Sequence, residues 1–115
     1  PESPFPAAWS DAIAAFDALP DDLPVLVCGD SAGGNLAVAV ARGRPGRIAC
    51  LALLSPWLDL RCGRPSFDAK RATDPLLDGD GLKAQAAMYA HNTPLDDARI
   101  SPGCAPISHL PETLL

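Results

Sequence analysis

The sequence predicts an α/β fold in which parallel strands are flanked by helices in three layers, α/β/α. Three observations lead there. Two short apolar runs, residues 23–28 and 48–54, have the length of strands and none of the polar alternation of a half-exposed one. The segments around them carry apolar residues at helical spacing. Between the first run and the helix that follows it stands Gly29-Asp30-Ser31-Ala32-Gly33-Gly34, a run of small residues suited to a sharp strand-to-helix turn.

Taken in order, residues 1–6 are proline-rich and extended. Ala7, Ala8, Ile13, Ala14, Phe16, Ala18 and Leu19 then recur with helical period until Pro20 ends the pattern. Residues 23–28, with Val25 and Val27, read as a strand buried on both faces. A small-residue helix over about 33–42 should lie against the sheet centre, and Gly43-Arg44-Pro45-Gly46 breaks it. A second buried strand over 48–54 ends at Ser55-Pro56, and strand, helix and strand together imply a right-handed parallel crossover.

Residues 57–80 read as an irregular loop excursion, long enough to be functional or to cover a site. Asp78 or Asp80 can cap a helix running through Leu82, Ala86, Ala87, Met88, Tyr89 and Ala90, which Asn92-Thr93-Pro94 terminates. Thr113, Leu114 and Leu115 have the character of a third strand's start. Two or three strands and three helices cannot cover both faces of an open sheet, so residues 1–115 read as the central segment of a single larger domain.

Composition narrows the function classes. A 48% hydrophobic content with 20% charged residues is ordinary for a soluble globular domain. A net charge of −5, with no basic cluster beyond Arg42, Arg44 and Arg47, argues against a nucleic-acid partner. No apolar run approaches the roughly 20 residues of a transmembrane helix. Cys28, Cys50, Cys62 and Cys104 form no Cys-x-x-Cys pair and have no histidine at ligand spacing, so no metal site is expected. Cys28 and Cys50 fall in expected core strands as buried free thiols, which favours a reducing, cytoplasmic location.

Gly29, Asp30, Ser31, Ala32 and Gly33 fill the pattern Gly-x-Ser-x-Gly in the context that pattern requires, after a strand and before a helix. A serine hydroxyl becomes a useful nucleophile when it is held clear of its backbone, aimed at a base and set beside oxyanion donors. The N–H of Ala32, at the helix N-terminus, would be one such donor. A P-loop would need Lys followed by Ser or Thr where Asn35-Leu36 stand, and the glycines at 29, 33 and 34 miss the dinucleotide spacing.

The neighbouring polar residues have plainer expected roles. Asp30 should point away from Ser31 and brace the backbone. Asp59 should brace a loop, or else line the cleft, and Trp57 should either wall a pocket at the carboxyl edge of the sheet or pack in the core. Asp74 belongs to a turn, since residues 61–73 are too polar to form the strand whose tip a catalytic acid needs. His91 reads as a helix C-terminal cap or a solvated residue, and His109 as a loop residue.

These residues resemble the α/β-hydrolases, and within them the hormone-sensitive-lipase-like esterases and lipases. Gly29-Asp30-Ser31-Ala32-Gly33-Gly34-Asn35-Leu36-Ala37 is similar to that family's nucleophile elbow. Pro1-Glu2-Ser3-Pro4-Phe5-Pro6-Ala7, Leu54-Ser55-Pro56-Trp57-Leu58-Asp59-Leu60, Asp74-Pro75-Leu76-Leu77 and Ile100-Ser101-Pro102 resemble its flanking segments. The resemblance implies that Ser31 forms an acyl-enzyme with a small-molecule ester, that Ala32 donates to the oxyanion, and that no cofactor takes part. It leaves a homo-oligomer open. The family's His-Gly-Gly-Gly loop, acid and histidine have no counterpart in residues 1–115 and would lie before and after them. Three rival readings follow: a small-molecule receptor like the plant gibberellin receptors, which resemble the same family; an amide hydrolase; and an inactive fragment lacking the triad acid and histidine.

Overall fold

The computed structural model describes residues 2–115; Pro1, the first residue of the proline-rich opening motif, lies outside the described residues. The elements are α1 (Ala7–Asp17), β1 (Val25–Asp30), α2 (Ala32–Gly43), β2 (Ile48–Leu54), α3 (Pro65–Lys70), α4 (Gly79–Ala90) and β3 (Glu112–Leu114), with a 3₁₀ turn at Pro102–Cys104 before β3. The strands form one parallel sheet in the order β1-β2-β3. In register, Cys28 stands beside Ala52, Asp30 beside Leu54, and Ala52 beside Leu114.

Local chemistry sets the boundaries. The Asp78 carboxylate accepts from the N–H of Gly81 at 3.0 Å and so starts α4, satisfying a donor that has no partner inside the helix. Pro65 stands at the first position of α3, where its missing N–H costs nothing. This six-residue helix interrupts the expected 57–80 excursion; it is too short for helical periodicity to reveal.

The main core joins α1, α2 and β2. Phe16, Val38, Val40, Ala41, Leu51 and Leu53 are buried together, with Leu51 fully enclosed. The alanines of α2 let the helix approach the sheet closely, in keeping with its expected central position. A second cluster joins Leu60, Ala86, Ala90 and Ile100, with Phe5, Trp57 and Tyr89 against it.

Both α1 and α2 lie on one face of the sheet. Side chains alternate along a strand, so every second residue of β1 meets the other face. There Leu26 is 62% exposed, Leu54 56% and Leu114 69%. This corrects two expectations: β1 is half-buried on one face and exposed on the other, and Cys28 is exposed while Cys50 is half-buried. The apolar run identified a strand made for burial; among the described residues, nothing covers its second face. The buried thiol is instead that of Cys62, which burial raises above its ordinary pKa.

Candidate active site

Ser31 is the single residue between the end of β1 and the start of α2. Its backbone sits at φ 51°, ψ −115°, a conformation that residues with a Cβ rarely adopt. Strain of this kind costs on the order of 1–3 kcal/mol and survives only when the surroundings over-determine the residue. They do so here. The Ser31 N–H donates to the Leu54 carbonyl at 3.0 Å, and the Ser31 carbonyl accepts from Trp57 N–H at 2.9 Å and Asn35 N–H at 3.3 Å. The turn is thus bolted to the end of β2 and to the segment after it.

Two glycines make that closeness feasible. A Cβ on Gly29 would lie 2.3 Å from the Gly33 carbonyl oxygen, and one on Gly34 would lie 2.7 Å from Pro56 Cβ. Gly33 differs, since a Cβ there would meet nothing within 4 Å among the described residues. Its backbone is the surface that Gly29 must clear. Ala32 opens α2, so its N–H belongs to the set left without intrahelical partners at the positive end of the helix dipole.

Ser31 lines a cavity of about 310 Å³ together with Ser55, Trp57, Ser66, Lys70 and Asp74. A larger cavity of about 450 Å³ lies beside it, lined by Ala32, Asn35, Leu36, Trp57, Met88 and Tyr89. Trp57 lines both cavities and also packs on the second core cluster, so wall and core packing are combined in one side chain.

The other candidates separate from Ser31. Asp30 is exposed on the open sheet face. Strand alternation places it there. The Asp59 carboxylate is held by Arg61, Nε to Oδ1 at 2.8 Å and Nη2 to Oδ2 at 2.7 Å, with Arg64 at 3.4 Å. The Arg61 guanidinium lowers its pKa to about 2; it braces the loop. Asp74 shares the Ser31 cavity, but one of its oxygens accepts from the N–H groups of Leu76 and Leu77, both at 2.9 Å, and these bonds lower its pKa. It holds a turn and follows no strand. His91 caps α4, its N–H donating to Ala87 carbonyl at 3.0 Å. His109 lines a separate small cavity with Arg42. Among the described residues, no histidine lines the cavity of Ser31.

Asn35 and Ser101 were not expected to matter. The Asn35 amide, 5% exposed, donates to the carbonyls of Trp57 at 2.8 Å and Ile100 at 2.7 Å. The fully buried Ser101 hydroxyl accepts from Leu60 N–H at 2.9 Å and donates to Leu95 carbonyl at 2.5 Å. The visible signal for Asn35 is its polarity within an otherwise small and apolar helix.

A family model described as the alpha/beta hydrolase fold matches residues 1–115. An acetyl-hydrolase of Streptomyces hygroscopicus is 38% identical over all of this chain and 41% of its own length, and an esterase of Acinetobacter venetianus is 32% identical over the same shares. Among solved structures, a hormone-sensitive lipase from a metagenome library superposes with a TM-score of 0.87 at 36% identity, over 98% of this chain and 42% of that one. An esterase from the bacterial hormone-sensitive lipase family gives a TM-score of 0.85 at 32% identity, over 98% and 41%. The chain spans about two fifths of the length of these relatives. With its family match from end to end, its three parallel strands and its strand-to-helix turn at Ser31, the chain belongs to the α/β-hydrolases, in the hormone-sensitive-lipase-like group of esterases and lipases.

Proposed function

We propose that the protein carrying this chain is a serine carboxylic ester hydrolase and that Ser31 is its nucleophile. The observation behind this reading is the strained, triply anchored backbone of Ser31 at the N-terminus of α2, beside a cavity. In the reaction, Ser31 Oγ attacks the ester carbonyl carbon and its proton passes to a base. The oxyanion collects on the Ala32 N–H, and collapse expels the alcohol oxygen, which takes up the proton. Water then splits the acyl-Ser31 ester, releasing the carboxylic acid and restoring the hydroxyl. By the family resemblance, the base is a histidine outside residues 1–115. The relatives' names, acetyl-hydrolase and esterase, support an ester substrate, the first of them one with a small acyl group. The four free thiols support a cytoplasmic location.

The test is 4-nitrophenyl butyrate hydrolysis by the full-length gene product. Ser31→Ala should reduce kcat by at least about 10³-fold while leaving the fold intact; a Ser31→Ala enzyme with undiminished turnover refutes the assignment.

A further inference from the structure

The direction of the Ala32 N–H is set from outside the turn. Ser31 C=O and Ala32 N–H belong to one peptide unit, which is planar and trans, so the two bonds point in opposite directions. Whatever holds the Ser31 carbonyl therefore aims the Ala32 N–H. Two donors hold it, Trp57 N–H at 2.9 Å and Asn35 N–H at 3.3 Å, and the shorter bond comes from Trp57. Trp57 is in turn held by the Asn35 side chain, whose Nδ2 donates to the Trp57 carbonyl at 2.8 Å and to the Ile100 carbonyl at 2.7 Å. Ser31, Trp57 and Asn35 thus close a ring of hydrogen bonds, with Ile100 as its outer anchor. Asn35 is 5% exposed, so residues of this chain already enclose it, whatever the full-length protein lays over them.

Resting on the esterase reading above, we propose that Asn35 is a positioning residue: through Trp57 it fixes the peptide plane between Ser31 and Ala32 and so aims the Ala32 N–H at the oxyanion. The oxyanion charge develops in the transition state, and a donor turned away from it loses most there. Loss of the Asn35 amide slows the chemical step and leaves ester binding as it was.

The experiment uses the full-length gene product with 4-nitrophenyl butyrate and with 1,1,1-trifluoroheptan-2-one, all values being expressed per active site titrated with a fluorophosphonate. The ketone reports on the oxyanion: Ser31 Oγ bonds to its carbonyl carbon, the hydroxyl proton passes to the base, and the carbonyl electron pair moves to the oxygen. Asn35→Ala should lower kcat about tenfold, less than the roughly 10²–10³ of losing a donor outright, with KM within about twofold of the parent. The Ki of the ketone should rise by the same factor as kcat falls. Asn35→Ser keeps one donor in the buried place; it should fall between the parent and Asn35→Ala, and it serves if the alanine variant does not fold. Ser101→Ala removes a buried hydroxyl that bonds to Leu60 and Leu95 rather than to Trp57, and should leave kcat and Ki per site unchanged. Asn35 variants with parental kcat and Ki, or with a lower kcat and an unmoved Ki, overturn this inference alone. So does an equal fall in Ser101→Ala, which would make damage to the core the cause. A parent that hydrolyses no ester overturns the esterase reading and this inference with it.

Discussion

The side-chain amide of Asn35 donates to the carbonyl of Ile100 at 2.7 Å, across 65 residues of chain, and to the carbonyl of Trp57 at 2.8 Å. The first turn of the helix behind Ser31 is thereby tied to two of the segments that build the second core cluster. Asn35→Ala leaves two carbonyls without donors in a buried place. The expected loss is about 2–3 kcal/mol, read as a lower denaturation midpoint in urea. Asn35→Asp sets a carboxylate against two carbonyl oxygens and should cost more.

The two outer glycines of the turn should respond differently from the one between them. Gly29→Ala would put a Cβ at 2.3 Å from a carbonyl oxygen and Gly34→Ala one at 2.7 Å from Pro56, so both should cost several kcal/mol, on the order of 3 or more, as overpacking against backbone does. Gly33→Ala meets open space within α2, where alanine has the better helix propensity, and should hold stability to within about 1 kcal/mol of the parent. Thermal unfolding of the three variants ranks them directly.

Strain at Ser31 can be measured without reference to activity. Both Ser31→Ala and Ser31→Gly remove the hydroxyl, but only glycine accepts φ 51°, ψ −115° at no steric cost. After the entropic cost of glycine is subtracted, Ser31→Gly should be the more stable of the two by about 1 kcal/mol. Equal midpoints would mean that the strain relieved is no larger than the entropic cost of glycine, roughly 0.5–1 kcal/mol.

Much of the turn was legible because its requirements are local. A strand, a run of small residues and a helix are written in consecutive positions, and β2 was bounded correctly at Ile48–Leu54 because Ser55-Pro56 stops it. Burial was less legible. Whether Cys28 faces protein or solvent depends on what stands over the second face of the sheet, and no local pattern in residues 23–28 carries that information. The short helix α3 and the ties made by Asn35 and Ser101 were missed for a related reason: the ties to Trp57, Ile100 and Leu60 span 22 to 65 positions, and α3 is too brief to show a period.

Acid should weaken the loop after β2 in a defined window. The folded-state pKa of Asp59 is about 2, against an ordinary 3.8, because the Arg61 guanidinium and N–H hold the ionised form. A depressed carboxylate pKa contributes stability above the unfolded value, and that contribution disappears as pH falls through the folded one. Asp59 is 16% exposed and Arg61 47%, so solvent screening limits the effect to about 1–2 kcal/mol. Asp59→Asn should therefore be less stable than the parent at pH 7, with the gap narrowing below pH 4 and closing near pH 2. Urea titrations across that range test the sign as well as the size.

The most direct test of the central claim is the intact mass of the full-length gene product after treatment with a fluorophosphonate, followed by peptide mapping. A single adduct on Ser31, absent from Ser31→Ala, is the expected result, because only a serine beside a base and oxyanion donors reacts at an appreciable rate. A folded full-length protein that remains unmodified at Ser31, or that is modified at another serine, would contradict the account.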